Sequence, residues 1–177
     1  IADMILAIHE CDKPVIAAVN GAAAGGGLSM ALACDIRIAS EKSKYGAVYI
    51  KTGLSGCDVG SSYLLPRIVG LSAATELMLT GQVIGAEDAK ALGLVSRIVA
   101  PDALIDEALV TARAIAQNSE YGVWMTRKGI RTNQDAPSLR HAMELENRQQ
   151  VLGYFSGCME EAMASFQEGR APKWKKL

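Results

Sequence analysis

The chain has 177 residues, of which 50% are hydrophobic, 21% charged and only 5% aromatic, so aliphatic side chains and seven Met carry its apolar content. A chain of this size buries roughly 70% of its unfolded surface, enough for one domain or one domain with a helical appendage, without disulfide or metal staples. The net charge of −1, from 18 Lys+Arg against 19 Asp+Glu, offers no basic field for nucleic acid or an anionic membrane, and no apolar run reaches the roughly 18 residues of a membrane span.

Residues 1–10 read as the middle of an amphipathic helix, with neither a Met nor a secretory leader ahead of them, so the chain is expected to begin inside a larger fold. Lys13-Pro14 then forces extended backbone, because the residue before Pro is pushed out of the helical region, and residues 15–19 read as a buried strand. Asn20-Gly21 is a turn signal. The small-residue stretch 22–27 follows as close-packed backbone, before a helix over 28–33. Short strands are expected around Ile36, Ile38 and 45–47, separated by the polar turn 40–44. A glycine-rich loop, 53–60, leads into a short helix over 62–68.

Beyond Gly70 the pattern turns helical: 71–80, 86–92, then a strand-like 94–99 closed by Pro101. Pro101 marks a helix start; the helix over 103–116 turns Leu104, Ala108, Thr111 and Ile115 inward. Further helices are expected over 122–131, 138–155 and 159–167, with Gly169 as a C-terminal stop. The chain therefore divides into an α/β part, residues 1–100, and a helical part, residues 101–177, with no flexible spacer between them.

Cys11, Cys34, Cys57 and Cys158 contain no C-x-x-C pair and are expected to be reduced structural thiols of a cytoplasmic protein. Three of them stand in Cys-Asp pairs at equal intervals, at positions 11, 34 and 57, a hint of a spiral repeat whose flanking residues do not otherwise match.

Three arrangements could carry chemistry. A strand, a tight Gly turn and a helix start at 20–29 would point backbone N–H groups outward at the positive end of a helix dipole, an anion or oxyanion site. The same glycines could serve only close packing, and their spacing matches no phosphate loop. Asp58, in the loop 54–60, is either an acid/base whose partial burial raises its pKa or a cap for the helix beginning near Ser61. Ser29, Asp58 and His141 follow the chain order of an α/β-hydrolase triad. Ser29, however, does not directly follow a strand and His141 sits within a predicted helix. His9 reads as a surface or capping residue, and no metal constellation is present.

Three segments taken together resemble the enoyl-CoA hydratase/isomerase (crotonase) superfamily: Lys13-Pro14-Val15-Ile16-Ala17-Ala18-Val19-Asn20-Gly21, Gly25-Gly26-Gly27 and Ala33-Cys34-Asp35-Ile36-Arg37-Ile38-Ala39. Downstream, Leu65-Pro66-Arg67-Ile68-Val69-Gly70, Leu79-Thr80-Gly81, Ala86-Glu87-Asp88-Ala89, Gly93-Leu94-Val95 and an F-x-E-G-R-x-P run at 166–172 agree in the same order. The resemblance implies an α/β fold: a crotonase-like ββα spiral, of which the first βαβ portion is missing, followed by a C-terminal α-helical trimerisation region. It implies a homotrimer or hexamer acting on an acyl-CoA thioester. Coenzyme A would enter as part of the substrate and not as a resident cofactor.

By motif position, the resemblance makes the Gly26 N–H one of two backbone donors for the enolate oxygen, the other lying upstream of this chain. The two hydratase glutamates fall on Ser29 and Tyr49, so both carboxylates are absent. Asp58 is similar to the acid/base aspartate in the Asp-Val-Gly of dienoyl-CoA isomerases. The expected catalytic residues are thus Asp58, Gly26 and Tyr49, with Tyr49 either donating a hydrogen bond or covering the pocket. Gly25, Gly27, Ser29 and Gly53 are the expected substrate-binding positions. One carboxylate suits an isomerase-type proton shift better than two-acid hydration, although loss of both glutamates also fits a silent acyl-CoA-binding or scaffold protein. Arg170, Lys173, Lys175 and Lys176 form a basic tail, either a contact for CoA phosphates or a solvated terminus.

Overall fold

A computed structural model describes residues 1–176. The chain packs as two units, Ile1–Cys11 with Val15–Thr111, and Asp12–Pro14 with the chain from Ala112 on.

The first unit is a spiral of short strands and helices. α1 (Ala2–Glu10) leads to β1 (Ile16–Val19), then β2 (Ala22–Ala24), α2 (Gly26–Ala33), β3 (Ile36–Ser40) and β4 (Lys44–Gly46). A 3-10 turn (Val48–Thr52), α3 (Ser61–Val69), α4 (Leu71–Thr80), β5 (Val83–Gly85), α5 (Ala86–Ala91) and β6 (Arg97–Val99) complete it, with the start of α6 (Leu104–Ala116). β3 lies between β1 and β6, parallel to both, with Ile16 opposite Ile36 and Ile38 opposite Arg97. In the second sheet β4 lies between β2, parallel, and β5, antiparallel. Each pass through β1, β2 and α2 to β3 therefore adds one strand to each sheet, the α/β spiral expected from the sequence.

Two of the Cys-Asp pairs mark equivalent points of that spiral. Cys11 is the C-cap of α1 and Cys34 the C-cap of α2, both with extended backbone, ψ 133° and 156°, each followed by a strand of the first sheet. The third pair, at Cys57, lies in a loop. No disulfide joins any of the four cysteines, all of which lie among the described residues.

The core lies between sheets and helices: Ile5, Leu28, Leu32, Tyr45, Leu64, Leu65, Leu77, Ile84 and Leu94 are all buried. Each such aliphatic side chain contributes about 1.5–3 kcal/mol. Polar ties fix the strand starts. The Asp35 carboxylate accepts the Val15 N–H at 2.8 Å while the Asp35 N–H donates to Val15 O at 2.9 Å. The guanidinium of Arg37, half-buried, donates to the carbonyls of Leu94 (2.7 Å), Cys34 (2.7 Å) and Ala31 (3.3 Å). It thereby fastens the C-terminal end of α2 to the segment after α5.

This unit runs past residue 100 to Thr111, because Leu104 is buried at 1% exposure and Arg97 bonds both Glu107 O and the Thr111 hydroxyl. Leu104 is buried and Ala108, Thr111 and Ile115 are half-buried, the inward stripe that the spacing predicts.

The second unit holds the end of α6, α7 (Glu120–Asn133), α8 (Leu139–Tyr154) and α9 (Cys158–Glu168). Ser119 caps α7 through the Gly122 N–H and Ser138 caps α8 through the His141 N–H, while Gly169 ends α9 at φ +63°. The tail after α9 is tied down. Arg170 donates to Glu161 at 2.6 Å and Glu168 at 2.5 Å, the Lys173 N–H donates to Glu161, and the Trp174 indole donates to Gln117 O at 2.7 Å. The Arg170 and Lys173 contacts hold the Glu161 carboxyl down at about 2. Of the basic tail expected from the sequence, Arg170 is committed to two carboxylates, while Lys173, Lys175 and Lys176 are exposed.

Candidate active site

The glycine run of the sequence becomes the hinge between β2 and α2. Gly25 adopts φ +53°, ψ −123°, a conformation essentially closed to residues with a Cβ. Its N–H donates to Gly46 O at 3.0 Å and its carbonyl accepts from the Ser29 N–H at 3.1 Å. Gly26 and Gly27 are the first two residues of α2, so their N–H groups have no intrahelical acceptor. The helix has no side-chain cap and no acidic residue in its first turn. Uncapped amide groups at the positive end of a helix dipole favour a nearby negative charge.

Tyr49 reaches this turn from the 3-10 segment. A Cβ placed on Gly25 would lie 3.5 Å from its ring carbon Cε1, and one on Gly26 would lie 3.9 Å from its hydroxyl. The hydroxyl stands 3.4 Å from Ser29 Oγ, and Ser29 is completely buried. Burial pushes the Tyr49 phenol up, the Ser29 hydroxyl pulls it back, and the negative charge of Asp58 adds to the rise. Ser29, Tyr49 and the Gly25–Gly26 turn thus form one neighbourhood, which the charge of Asp58 reaches through Tyr49. Tyr49 both covers the turn and presents a hydroxyl to it.

Asp58 departs from both readings of its environment. It is exposed and not partly buried. Nor does its carboxylate cap α3, whose N-cap is Gly60 with no side-chain bond; Oδ1 accepts the N–H of the adjacent Val59 at 2.9 Å instead. Gly53 closes the 3-10 turn in a left-handed conformation, φ +79°, its N–H bonded to Ile50 O.

Ser29 does not have the setting of a hydrolase nucleophile. Ser29 is the fourth residue of α2, fully buried against Tyr49 and not raised on an exposed elbow. His141 lies in the first turn of α8 in the other packing unit. Among the described residues no group of three His, Cys, Asp or Glu side chains could hold a metal ion, and no helix is long and apolar enough to cross a membrane. Sequence reasoning passed over Gly56, Val59 and Ser61, which shape the Asp58 loop; the one available signal was a β-branched residue between Asp58 and Gly60, where a tight reversal had to fit.

The family model for enoyl-CoA hydratase/isomerase matches residues 1–176. The chain is 43% identical over 171 residues to the "Probable enoyl-CoA hydratase EchA12" of Mycobacterium tuberculosis, covering 96% of this chain and 60% of that relative. It is 39% identical over 154 residues to the "Short-chain-enoyl-CoA hydratase" of Clostridioides difficile, covering 87% of this chain and 97% of that one. A crystal structure of a probable enoyl-CoA hydratase/isomerase from Mycobacterium abscessus superposes with a TM-score of 0.92 at 40% identity, over 98% of this chain and 67% of that chain. The chain spans about three fifths of the length of the mycobacterial relatives it matches. With the family model matching residues 1–176 and a solved family structure superposing over 98% of the chain, it belongs to the enoyl-CoA hydratase/isomerase family of the crotonase superfamily.

Proposed function

We propose that the protein acts on acyl-CoA thioesters through an enolate and is isomerase-like, moving a proton by a 1,3-shift. The observation that supports this most directly is the uncapped first turn of α2 under the Tyr49 hydroxyl, with Asp58 as the single carboxylate whose charge Tyr49 feels.

In this scheme the thioester oxygen accepts the Gly26 N–H. The Asp58 carboxylate takes a proton from an acidic carbon of the acyl chain, the C–H electron pair moves into the conjugated system, and negative charge collects on the oxygen held by Gly26. The protonated Asp58 returns the proton to a different carbon and is ionised again. Tyr49 donates its hydroxyl to substrate or covers the site, and Gly25, Gly27, Ser29 and Gly53 shape the substrate contact. Hydration, the activity in the names of the relatives, would also need a carboxylate to activate water, and Ser29 and Tyr49 supply none. Coenzyme A is part of the substrate and no resident cofactor takes part.

Loss of those two carboxylates equally favours a second reading, a silent acyl-CoA-binding or scaffold protein. The proposal includes a homotrimer or hexamer, supported by the apolar side chains that α8, α9 and their junction expose, Phe155 at 79% and Phe166 at 86%. It also includes a reducing, cytoplasmic setting, supported by four cysteines of which none is in a disulfide.

Turnover of a panel of enoyl- and dienoyl-CoA thioesters, together with deuterium exchange at Cα, tests the reading. The isomerase reading requires exchange in the wild type and its loss in Asp58→Asn. Rates unchanged in Asp58→Asn refute the role of Asp58, and no exchange with any bound thioester leaves the scaffold reading standing.

A further inference from the structure

The loop that carries Asp58 is held at its backbone by one buried hydroxyl. Ser61, the first residue of α3, is completely buried. Its Oγ accepts the Asp58 N–H at 3.2 Å and donates to Gly56 O at 3.3 Å, while its own N–H donates to Asp58 O at 2.9 Å. Both main-chain polar groups of Asp58 are therefore bonded to the same residue. Beneath them Gly56 lies directly against α4, where a Cβ would come within 2.8 Å of Met78 O, so the hydroxyl links Asp58 to a point that cannot move inward.

The turn this closes is not one the chain would adopt alone. Its two central residues, Val59 and Gly60, have φ of +37° and +83°. A four-residue reversal with positive φ at both central positions favours Gly, Asn or Asp there, and a β-branched residue at the first of them is a true outlier. Such a conformation persists where its surroundings over-determine it, and strain of this kind gathers at functional sites. Here the surroundings are the Ser61 bonds and the packing of Val59 against the core. The consequence is an exposed carboxylate on a rigid base: Asp58 faces solvent while its Cα is fixed from the interior.

We propose that Ser61 is a positioning residue for Asp58, its hydroxyl setting where the carboxylate stands relative to the first turn of α2. This rests on the acid/base reading of Asp58 given above. Ser61 is buried away from solvent; removing its hydroxyl frees the Asp58 N–H and Gly56 O from each other and leaves the strained turn held only by the Ser61 N–H bond to Asp58 O and the packing of Val59. Because a misplacement of about 1 Å at a catalytic group can cost about a hundredfold in rate, the effect falls on kcat. Thioester binding through Gly26 is left in place, so KM changes little.

The test compares Ser61→Ala, Ser61→Thr and Asp58→Asn in the complete protein, using the thioester that the wild type turns over. Ser61→Ala is expected to lower kcat by about tenfold to a hundredfold with KM within about twofold, and Ser61→Thr, which keeps the hydroxyl, to recover kcat to within about threefold. A merely structural role would give neither the kcat-only loss nor recovery by Thr. Should Ser61→Ala fail to fold, Ser61→Cys keeps the side chain's shape and discards its strong hydrogen bonding, and the same kcat loss is expected. If Asp58→Asn abolishes turnover while folded Ser61→Ala or Ser61→Cys keeps the wild-type kcat, the positioning role is overturned and the role of Asp58 stands. If Asp58→Asn turns over normally, the acid/base reading falls and the positioning role with it.

Discussion

Replacing Gly25 and Gly27 of the hinge one at a time by alanine separates conformational need from composition. At Gly25 the backbone sits at φ +53°, ψ −123°, where a Cβ costs about 1–3 kcal/mol. The space itself is not the obstacle, since that Cβ would meet the Tyr49 ring at 3.5 Å, an ordinary contact. For a domain of this size each kcal/mol shifts Tm by about 2–4 °C, so Gly25→Ala should melt about 2–12 °C below the wild type. At Gly27, in the first turn of α2 and with nothing within 4 Å of its Cβ position, Ala is the better helix former by about 0.5–1 kcal/mol. Gly27→Ala should therefore melt at or a few degrees above the wild type. Differential scanning calorimetry on both variants reads the difference directly. Two neighbouring glycines that respond alike, or a Gly25→Ala protein as stable as the parent, would refute the hinge argument.

Two further outcomes follow from the polar ties. The Glu161 carboxyl titrates at about 2, below its ordinary 4.5, because Arg170 and the Lys173 N–H favour the ionised form. A lowered folded-state pKa stabilises above the ordinary value and loses that contribution as pH falls from it toward 2. The tail should thus stay docked at pH 5 and release only near pH 2, whereas Glu161→Gln should release it at neutral pH; Trp174 fluorescence in a Trp124→Phe background and trypsin cleavage after Arg170 and Lys173 report both. Asp35→Ala should cost about 1–3 kcal/mol by leaving the part-buried Val15 N–H unpaired. Asp35→Asn, which keeps an acceptor, should cost less, and urea denaturation gives the comparison.

Helices were the legible part of the sequence. α4 spans Leu71–Thr80 as its pattern indicates, with Gly70 before it and left-handed Gly81 after it, because glycine punctuation and apolar spacing act locally. The strands that escaped notice are those made by partners. β2 is three alanines, without β-branched or aromatic signal, and is a strand because Ala22, Ala23 and Ala24 pair with Lys44, Tyr45 and Gly46. β5 is likewise defined by its pairing with β4. At the site, the motifs point to Gly25–Gly27, Ser29, Tyr49 and Asp58, of which the fold brings Gly25, Gly26, Ser29 and Tyr49 to one turn, but the exposure of Asp58 and the turn beneath it have no local signature. The hydroxyl that fixes that turn belongs to one serine of a Ser61-Ser62 pair, and only the fold buries the first and leaves the second exposed.

The grip of Arg37 on the carbonyls of Ala31 and Cys34 has a bearing on electrostatics at the other end of α2. With its C-terminal end bolted by a guanidinium and its N-terminal end hung from Gly46 O through the Gly25 amide, this eight-residue helix has little freedom to rock. Solvent dipoles must turn to meet a charge that appears among them, and that turning is the larger part of the barrier in water. Dipoles held at both ends are aligned before any charge arrives. Their reorganisation cost is met once, when the chain folds, and under the proposed enolate chemistry would not recur with each reaction.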